Sequence, residues 1–400
     1  METITGLVLI ILVYIFTFET VMYFICSVRH YANPYHKKEH SGNDFVSIIV
    51  PCYNEQLTLE NCVKSLVDQT YDKYEIIIVD DGSTDSTLNV ARSLLHYEKI
   101  SVLSKPNGGK ASALNYGIKH CSGNIVVCVD ADSIFLNDTL SKLVEPFSDP
   151  AVAAVAGNVK VVNRKKLLLK NQALEYIVGL NLHRRMFTHL NCVPVIPGAI
   201  GAVKKEIILE VGGYSVDTIV EDMDLTMAIS KRGYKIEYVG EAIAYTEAPE
   251  SYKDFWKQRY RWFYGTFEVM NKYKNILFNY NSGKELGVVG LPYMMYTMFG
   301  SVAVTLVLFC LVISIIFYGN SYNLLPLIFT ILFLQNVLML YSVLIDREDK
   351  KLLLYWPFQI LIYKQILCMI IIKAFIDYIT GKKTKWNKID RLGKNTLGST

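Results

Sequence analysis

The sequence predicts an α/β domain built on a doubly wound parallel sheet, flanked by transmembrane and interfacial helices. Three observations carry this reading. Short, nearly continuous apolar runs recur at residues 45–50, 74–79 and 125–129, as expected of strands covered on both faces. Helical segments lie between them, at 56–68, 84–96 and 110–121, and such alternation builds a parallel sheet with helices on its faces. Long apolar stretches stand on either side, at 4–28 and from Leu286 onward.

Composition agrees with membrane segments. Of 400 residues, 52% are hydrophobic and the mean hydropathy is positive, which is high for a chain without spans. The net charge of +4 is small, and no nucleic-acid partner is expected, since that needs a basic patch or stripe. The eight cysteines are scattered, with no C-x-x-C pair. Reduced, buried thiols are therefore expected rather than disulfides or a zinc site.

Residues 4–28 carry one charge, Glu19, and about 20 apolar residues suffice to span a hydrocarbon core. There is no basic n-region and no small-x-small cleavage site, so a retained span fits better than a signal peptide. Arg29, Lys37 and Lys38 follow the stretch, which places the next domain in the cytoplasm of a multi-pass cell-membrane protein. The expected organisation is a transmembrane helix at 1–29, a cytoplasmic domain at 45–270, interfacial and transmembrane helices at 285–380, and a cytoplasmic tail at 381–400. Within the third part, 285–299 is expected as an interfacial helix broken at Pro292. Residues 300–318 and 324–345 are expected as a hairpin of spans turning at Gly319-Asn320-Ser321 and returning at 346–351. Residues 352–379 are expected as a re-entrant or interfacial helix pair. A single crossing there would place Lys382, Lys383, Lys385, Lys388, Arg391 and Lys394 outside.

Ligands of such sheets bind at the C-terminal strand ends, and the polar motifs fall there: Pro51-Cys52-Tyr53-Asn54-Glu55, Asp80-Asp81-Gly82-Ser83 and Asp130-Ala131-Asp132. Neither G-x-G-x-x-G nor G-x-x-x-x-G-K-[ST] is present, which argues against a dinucleotide or P-loop site. Asp130 and Asp132 can approach one hard cation together, with substrate phosphates completing the shell; alone, the pair reads more readily as a solvated turn, and its place at a strand end after two other acidic strand ends favours the cation. Asp80 and Asp81 suit either a turn or acceptance of a nucleobase N–H, with Ser83 or Thr84 capping the following helix. Lys110 opens a helix after Asn107-Gly108-Gly109, and a lysine at a helix N-terminus suits a diphosphate. In Val220-Glu221-Asp222-Met223-Asp224, Asp222 with Glu221 beside it is the candidate catalytic pair, since deprotonating a hydroxyl needs a carboxylate. An acidic helix start favoured by the dipole explains the same residues blandly. In Gln258-Arg259-Tyr260-Arg261-Trp262, an arginine can stabilise a leaving diphosphate and a tryptophan can stack on a sugar. The bland alternative is a basic, aromatic interfacial helix.

The ordered series Asp80-Asp81-Gly82, Asp130-Ala131-Asp132, Glu221-Asp222 and Gln258-x-x-Arg261-Trp262 resembles the family 2 inverting glycosyltransferases, in particular their processive membrane branch. That resemblance implies a GT-A-like, Rossmann-type nucleotide-sugar domain. It implies that Pro51, Tyr53, Glu55 and Asp80 or Asp81 contact uridine, that Lys110 and Asp130 approach the donor diphosphate, and that Asp130 and Asp132 hold Mg²⁺ or Mn²⁺. Asp222 becomes the base, while Gln258, Arg261 and Trp262 hold the diphosphate and the acceptor end. Gly198, in the loop from Pro197 to Ala202, joins the acceptor site. Within the branch the chain is most similar to poly-β-1,6-N-acetylglucosamine synthases, and more distantly to hyaluronan, chitin and cellulose synthases. The features shared with the former are Gly157-Asn158, Gln172 with Glu175-Tyr176, and Trp256-Lys257-Gln258-Arg259-x-Arg261-Trp262. Pro197-Gly198 departs from the Ser-Gly expected there. Trp386 and Arg391 loosely match a tail motif of hyaluronan synthases.

The expected function is polymerisation of a β-linked polysaccharide from a UDP-sugar, UDP-N-acetylglucosamine in the first instance, at the cytoplasmic face. Export is expected between spans bearing Tyr293, Tyr296, Gln335, Asn336 and Tyr341, positions that packing explains as well. The implied partners are the UDP-sugar donor, the growing polysaccharide, membrane lipid and a small membrane accessory subunit. The alternatives are a non-processive transferase acting on a lipid carrier and a non-catalytic membrane partner that kept the fold.

Overall fold

The computed structural model describes residues 2–32, 44–277, 283–300, 302–305, 324–384 and 393. At its centre is a sheet of eight strands in the order β3-β2-β1-β4-β7-β6-β8-β5. β1 (Val46–Cys52), β2 (Tyr74–Asp80), β3 (Ile100–Ser104) and β4 (Ile125–Cys128) run parallel, with β1 between β2 and β4. The apolar runs read from the sequence are therefore the buried centre of the sheet, with Ile48, Ile76 and Val127 on one face and Ile49, Ile77 and Val126 on the other. Side chains alternate along a strand, so a helix layer must cover each face.

The purely parallel expectation is corrected in the second half. β7 (Gly201–Lys204) inserts antiparallel between β4 and β6 (Val152–Val161), and β5 (Ile134–Phe135) pairs antiparallel with β8 (Lys235–Thr246). Only β6 and β8 continue the parallel pattern. Close approach explains the small residues of β7: a Cβ on Gly201 would lie 2.4 Å from Ile196, and one on Gly157 of β6 would lie 2.5 Å from Ile200.

A second correction concerns the helix after β2. It runs Thr87–Ser93 from Ser86, not from Ser83 or Thr84. Asn54, at φ 56°, accepts the N–H of Thr84 at 2.7 Å and of Asp85 at 3.3 Å. Ser83 Oγ accepts the Asn54 N–H at 2.9 Å. Those groups are spent locking two strand-end loops together, so the helix begins a turn later.

The N-terminal stretch is one helix, Glu2–Ala32. Helical conformation continues through Pro292, because wider turns at Leu286–Gly290 and Tyr296–Gly300 flank the short helix Leu291–Met295 and accommodate the missing N–H. The break expected at Pro292 is thus absent, and Leu286–Thr305 is long and apolar enough to cross a membrane. Leu324–Ile345 is one helix. The rest of the expected hairpin (306–323, with Gly319-Asn320-Ser321) and the tail residues Trp386 and Arg391 lie outside the described residues. Lys350–Ile379 is one continuous helical run rather than two separate helices, and is also long and apolar enough to cross a membrane. Phe329 (71% exposed) and Leu361 (70%) belong to a broad apolar outer surface on these helices.

Polar contacts tie these helices to the sheet domain and to one another. Glu19 accepts hydrogen bonds from Tyr293 at 2.9 Å and Tyr296 at 3.3 Å, while Tyr341 packs on Phe24 and Asn336 bonds its own helix. Packing therefore accounts for Tyr293, Tyr296 and Tyr341 among the five positions considered for an export path, whereas Asn336 is exposed. After Ile345, Asp346 is paired with Arg185 and accepts from Asn181 at 3.2 Å. Lys160 reaches Glu348 at 3.1 Å and Arg164 pairs with Glu348. Along the last run, Lys170 donates to Tyr355 at 2.5 Å, Tyr363 donates to Glu175, and Tyr260 donates to Asp377 at 2.8 Å.

Candidate active site

The site is assembled at the C-terminal ends of the central strands. Pro51 and Cys52 of β1 lie in register with Val79 and Asp80 of β2, so the 51–55 loop stands beside the first acidic pair. Asp80 is buried and accepts from Ser104 Oγ at 3.2 Å and Ser83 N at 3.3 Å. Asp81 is buried as well, and its carboxylate accepts the N–H of Gly108 at 3.0 Å, the N–H of Gly109 at 2.8 Å and Lys105 Nζ at 2.6 Å. Two neighbouring aspartates thus do different work. Asp80 closes its own turn, whereas Asp81 holds the loop that launches Lys110. Gly109 precedes the helix at φ 85°, and Gly82 (φ 70°) allows the loops to approach, since its Cβ would lie 2.7 Å from Asn107 N. Asp81→Ala strands two backbone N–H groups and leaves the Lys105 ammonium with Pro106 O. We expect it to lower stability by about 2–3 kcal/mol and to raise the donor KM, as read by denaturant titration and initial rates.

From that loop the Lys110 side chain reaches into a cluster of carboxylates. Its Nζ lies 2.7 Å from Asp130 and 3.0 Å from Glu221. Burial opposes the Lys110 charge, but Asp130, Glu221 and Asp222 outweigh it and hold the pKa well above the ordinary lysine value. Asp130 ends the β4 segment, where Val129 N–H donates to Ile49 O at 3.0 Å, and its side chain is 35% exposed. Asp132, half-buried two residues on, acts with Asp130 on the same buried thiol, Cys62.

Glu221 and Asp222 open the helix Glu221–Lys231. Asp222 Oδ1 accepts the Met223 N–H at 2.8 Å and Oδ2 accepts the Gly198 N–H at 3.3 Å. Burial and then the adjacent Glu221 carboxylate raise the Asp222 pKa, against the pull of Lys110, the Met223 N–H and Arg261. A carboxyl raised in this way is a better proton acceptor than an ordinary aspartate. Gly198 is placed tightly: a Cβ there would lie 2.5 Å from Lys110 Nζ and 3.7 Å from Asp130 Oδ1. Gly198→Ala should therefore displace the ammonium and cost turnover on the order of a hundredfold, with Tm little changed, as read by steady-state kinetics beside a thermal melt.

The helix Tyr252–Lys272 comes in over this cluster, capped by Ser251 Oγ, which accepts the Asp254 N–H at 3.0 Å. Gly265 allows the approach, since a Cβ there would lie 2.6 Å from Val220. Arg261 donates to Ile219 O at 3.2 Å and acts electrostatically on Asp222. Gln258 accepts from Arg259, and Trp262 lies 6.3 Å from Tyr176, ring to ring. The structure therefore gathers Lys110, Asp130, Gly198, Glu221, Asp222 and Arg261. Pro51, Tyr53, Glu55, Asp80 and Asp81 stand at the adjoining strand ends, and Gln258 with Trp262 lies a helix turn away. Sequence reasoning assigned no role to Arg259, which is fully buried; an arginine inside a basic, aromatic helix reads as surface.

The residues present suit a divalent cation completed by substrate. Among the described residues no group of three or more acidic, histidine or cysteine side chains could hold a metal alone. A partly exposed Asp130 with Asp132 nearby matches a Mg²⁺ or Mn²⁺ site that takes its remaining ligands from phosphates and water. The seven described cysteines are buried and none forms a disulfide, and burial pushes the Cys128 thiol up to about 12, as expected of inert thiols.

The family described as "Glycosyl transferase family 2" matches residues 47–212. A poly-beta-1,6-N-acetyl-D-glucosamine synthase from Staphylococcus aureus is 36% identical over 227 residues, covering 56% of this chain and 55% of that relative. The match thus spans about half the length of the S. aureus protein. The synthase of the same name from Staphylococcus epidermidis is 28% identical over 374 residues, covering 89% of both chains. A solved mannosyltransferase from Pyrobaculum calidifontis, in complex with GDP-mannose and Mn²⁺, superposes with a TM-score of 0.62 over 91% of this chain and 99% of its own, at 19% identity, a likeness of fold. The mixed sheet, the acidic strand ends and these relatives agree on the domain: residues 47–212 match the family 2 glycosyltransferase domain, on a GT-A-like fold.

Proposed function

We propose that the protein is an inverting, processive synthase that extends a β-linked N-acetylglucosamine polymer from UDP-N-acetylglucosamine on the cytoplasmic side of a membrane. The observation that carries the chemistry is Asp222, a carboxyl of raised pKa held by the Gly198 and Met223 amides beside the Asp130–Lys110–Glu221 bridge. The staphylococcal synthases support the sugar and the polymer, and the apolar helices support the membrane.

In this reading the uracil lies against the 51–55 loop near Asp80, and the diphosphate faces Lys110. Asp130 and Asp132 would hold Mg²⁺ or Mn²⁺, which when bound supplies positive charge to the departing diphosphate. Asp222 takes the proton of the acceptor hydroxyl as its oxygen attacks the anomeric carbon. UDP departs with its charge met by Lys110 and Arg261, and attack opposite the leaving group inverts the anomeric centre. Trp262 gives the acceptor sugar an apolar face.

Purified protein in nanodiscs, given a panel of UDP-sugars with Mn²⁺ or Mg²⁺, tests this through UDP release and product length. UDP-N-acetylglucosamine should turn over fastest and give a long product. A single-sugar lipid adduct would overturn processivity, and preference for another sugar would overturn the donor assignment.

A further inference from the structure

Trp262 does not hold its ring alone. Three residues before it, and so on the same helix face, Arg259 is completely buried. Its Nε and Nη2 form a fork on Glu175, at 3.0 and 2.6 Å, and its Nη1 donates to Gln258 Oε1. Glu175 in turn accepts from Tyr363 of the Lys350–Ile379 run, and Tyr363 is also fully buried. The guanidinium carbon lies 4.1 Å from the centroid of the Trp262 ring, against 5.1 Å for Phe255 and 5.7 Å for Tyr176. One planar cation thus touches both Gln258 and Trp262, and its own plane is fixed by a bidentate carboxylate that a second hydroxyl holds in place.

We propose that Arg259 is a positioning residue for acceptor binding. It sets the tilt of the Trp262 indole and the orientation of the Gln258 amide, and Glu175 with Tyr363 keeps it in register. The inference rests on Trp262 and Gln258 being acceptor-side residues. It adds that their geometry is imposed by a buried arginine bridging the sheet domain and the C-terminal apolar run. A flexible lysine keeps the charge but loses both the fork and the stacked plane.

The test uses full-length protein in nanodiscs, with a β-1,6-linked N-acetylglucosamine pentamer as acceptor and UDP-N-acetylglucosamine as donor. Arg259→Lys should raise the acceptor KM on the order of tenfold or more, with the donor KM within about twofold. Tyr363→Phe, which removes one hydroxyl and keeps the ring, should shift the acceptor KM in the same direction by less. In a Trp262→Ala background, Arg259→Lys should have clearly less than its full effect, because the ring it tilts is gone and only the Gln258 route remains. Equal rises in donor and acceptor KM, or effects that add in the double variant, would overturn the proposal. If Arg259→Lys does not fold, Tyr363→Phe decides the matter, and an unchanged acceptor KM there overturns it. If Trp262→Ala leaves the acceptor KM unchanged, the acceptor-side reading itself fails, a distinct result.

Discussion

Asp222→Asn should lower kcat by about 10²–10⁴-fold, the range expected for loss of a general base, while UDP affinity by calorimetry stays within a few-fold. The two readouts separate because Asp222 contacts the Gly198 and Met223 amides, whereas Lys110 bonds to Asp130 and Glu221. The pH dependence follows from the sign of the shift. Burial and Glu221 raise the Asp222 pKa, so the base is ionised only above that raised value, and the acid limb of kcat should lie above the usual aspartate range near 4. Removing the neighbouring negative charge with Glu221→Gln should move that limb to lower pH. Stability runs the other way. A carboxyl whose folded pKa is raised favours the fold when protonated, and that contribution is lost as pH rises through the folded pKa. Asp222→Asn should therefore leave the neutral-pH melting temperature unchanged or raise it. A marked fall in Tm, with activity reduced only in proportion, would assign Asp222 a structural role instead.

Asp346→Ala should cost about 3–5 kcal/mol, the expected loss when one partner of a buried ion pair is removed. Arg185 and Asp346 are 2% and 1% exposed, so the stranded guanidinium cannot turn to water. Lys160 and Arg164 are already engaged by Glu348. The double variant Arg185→Met with Asp346→Leu should recover most of the loss, because well-packed apolar replacements of a buried pair are near neutral or better. Urea unfolding in detergent, followed by tryptophan fluorescence and by proteolysis, measures both. A loss below about 1 kcal/mol would class the pair with exposed ones.

The central strands were legible because β1, β2 and β4 are buried on both faces and carry nearly unbroken apolar runs. β7 was not, since Gly201-Ala202-Val203-Lys204 carries little apolar surface and owes its place to close approach. The acidic strand ends were legible from strand position and motif order. What sequence could not show was the division of labour between Asp80 and Asp81, which depends on a loop about 27 positions downstream reaching back to one carboxylate. Nor could it show that Ser83 and Thr84 serve Asn54 rather than a helix start. Arg185 and Asp346 meet across 161 positions, and each in its own segment reads as an ordinary surface charge. The unbroken helicity through Pro292 was hidden for a related reason: the wider turns around it come from tertiary packing, which local propensity does not report.

The bonds at Asp346 and Glu348 also impose a parity rule on the chain. Ile276 ends the sheet domain's last helical turn, and Asp346 returns to the same domain, so a path between them through a bilayer must begin and end on one face. If that path enters a bilayer, an even number of crossings is expected. Lys350–Ile379 touches the domain near its start through Tyr355, in its middle through Tyr363 and near its end through Asp377, so both of its ends are expected on that face as well. Tags inserted after Glu348 and after Thr384 should report the same compartment. Helices between Ile276 and Asp346 can be gained or lost in related proteins only in pairs, since a single insertion would carry Asp346 to the opposite side from Arg185.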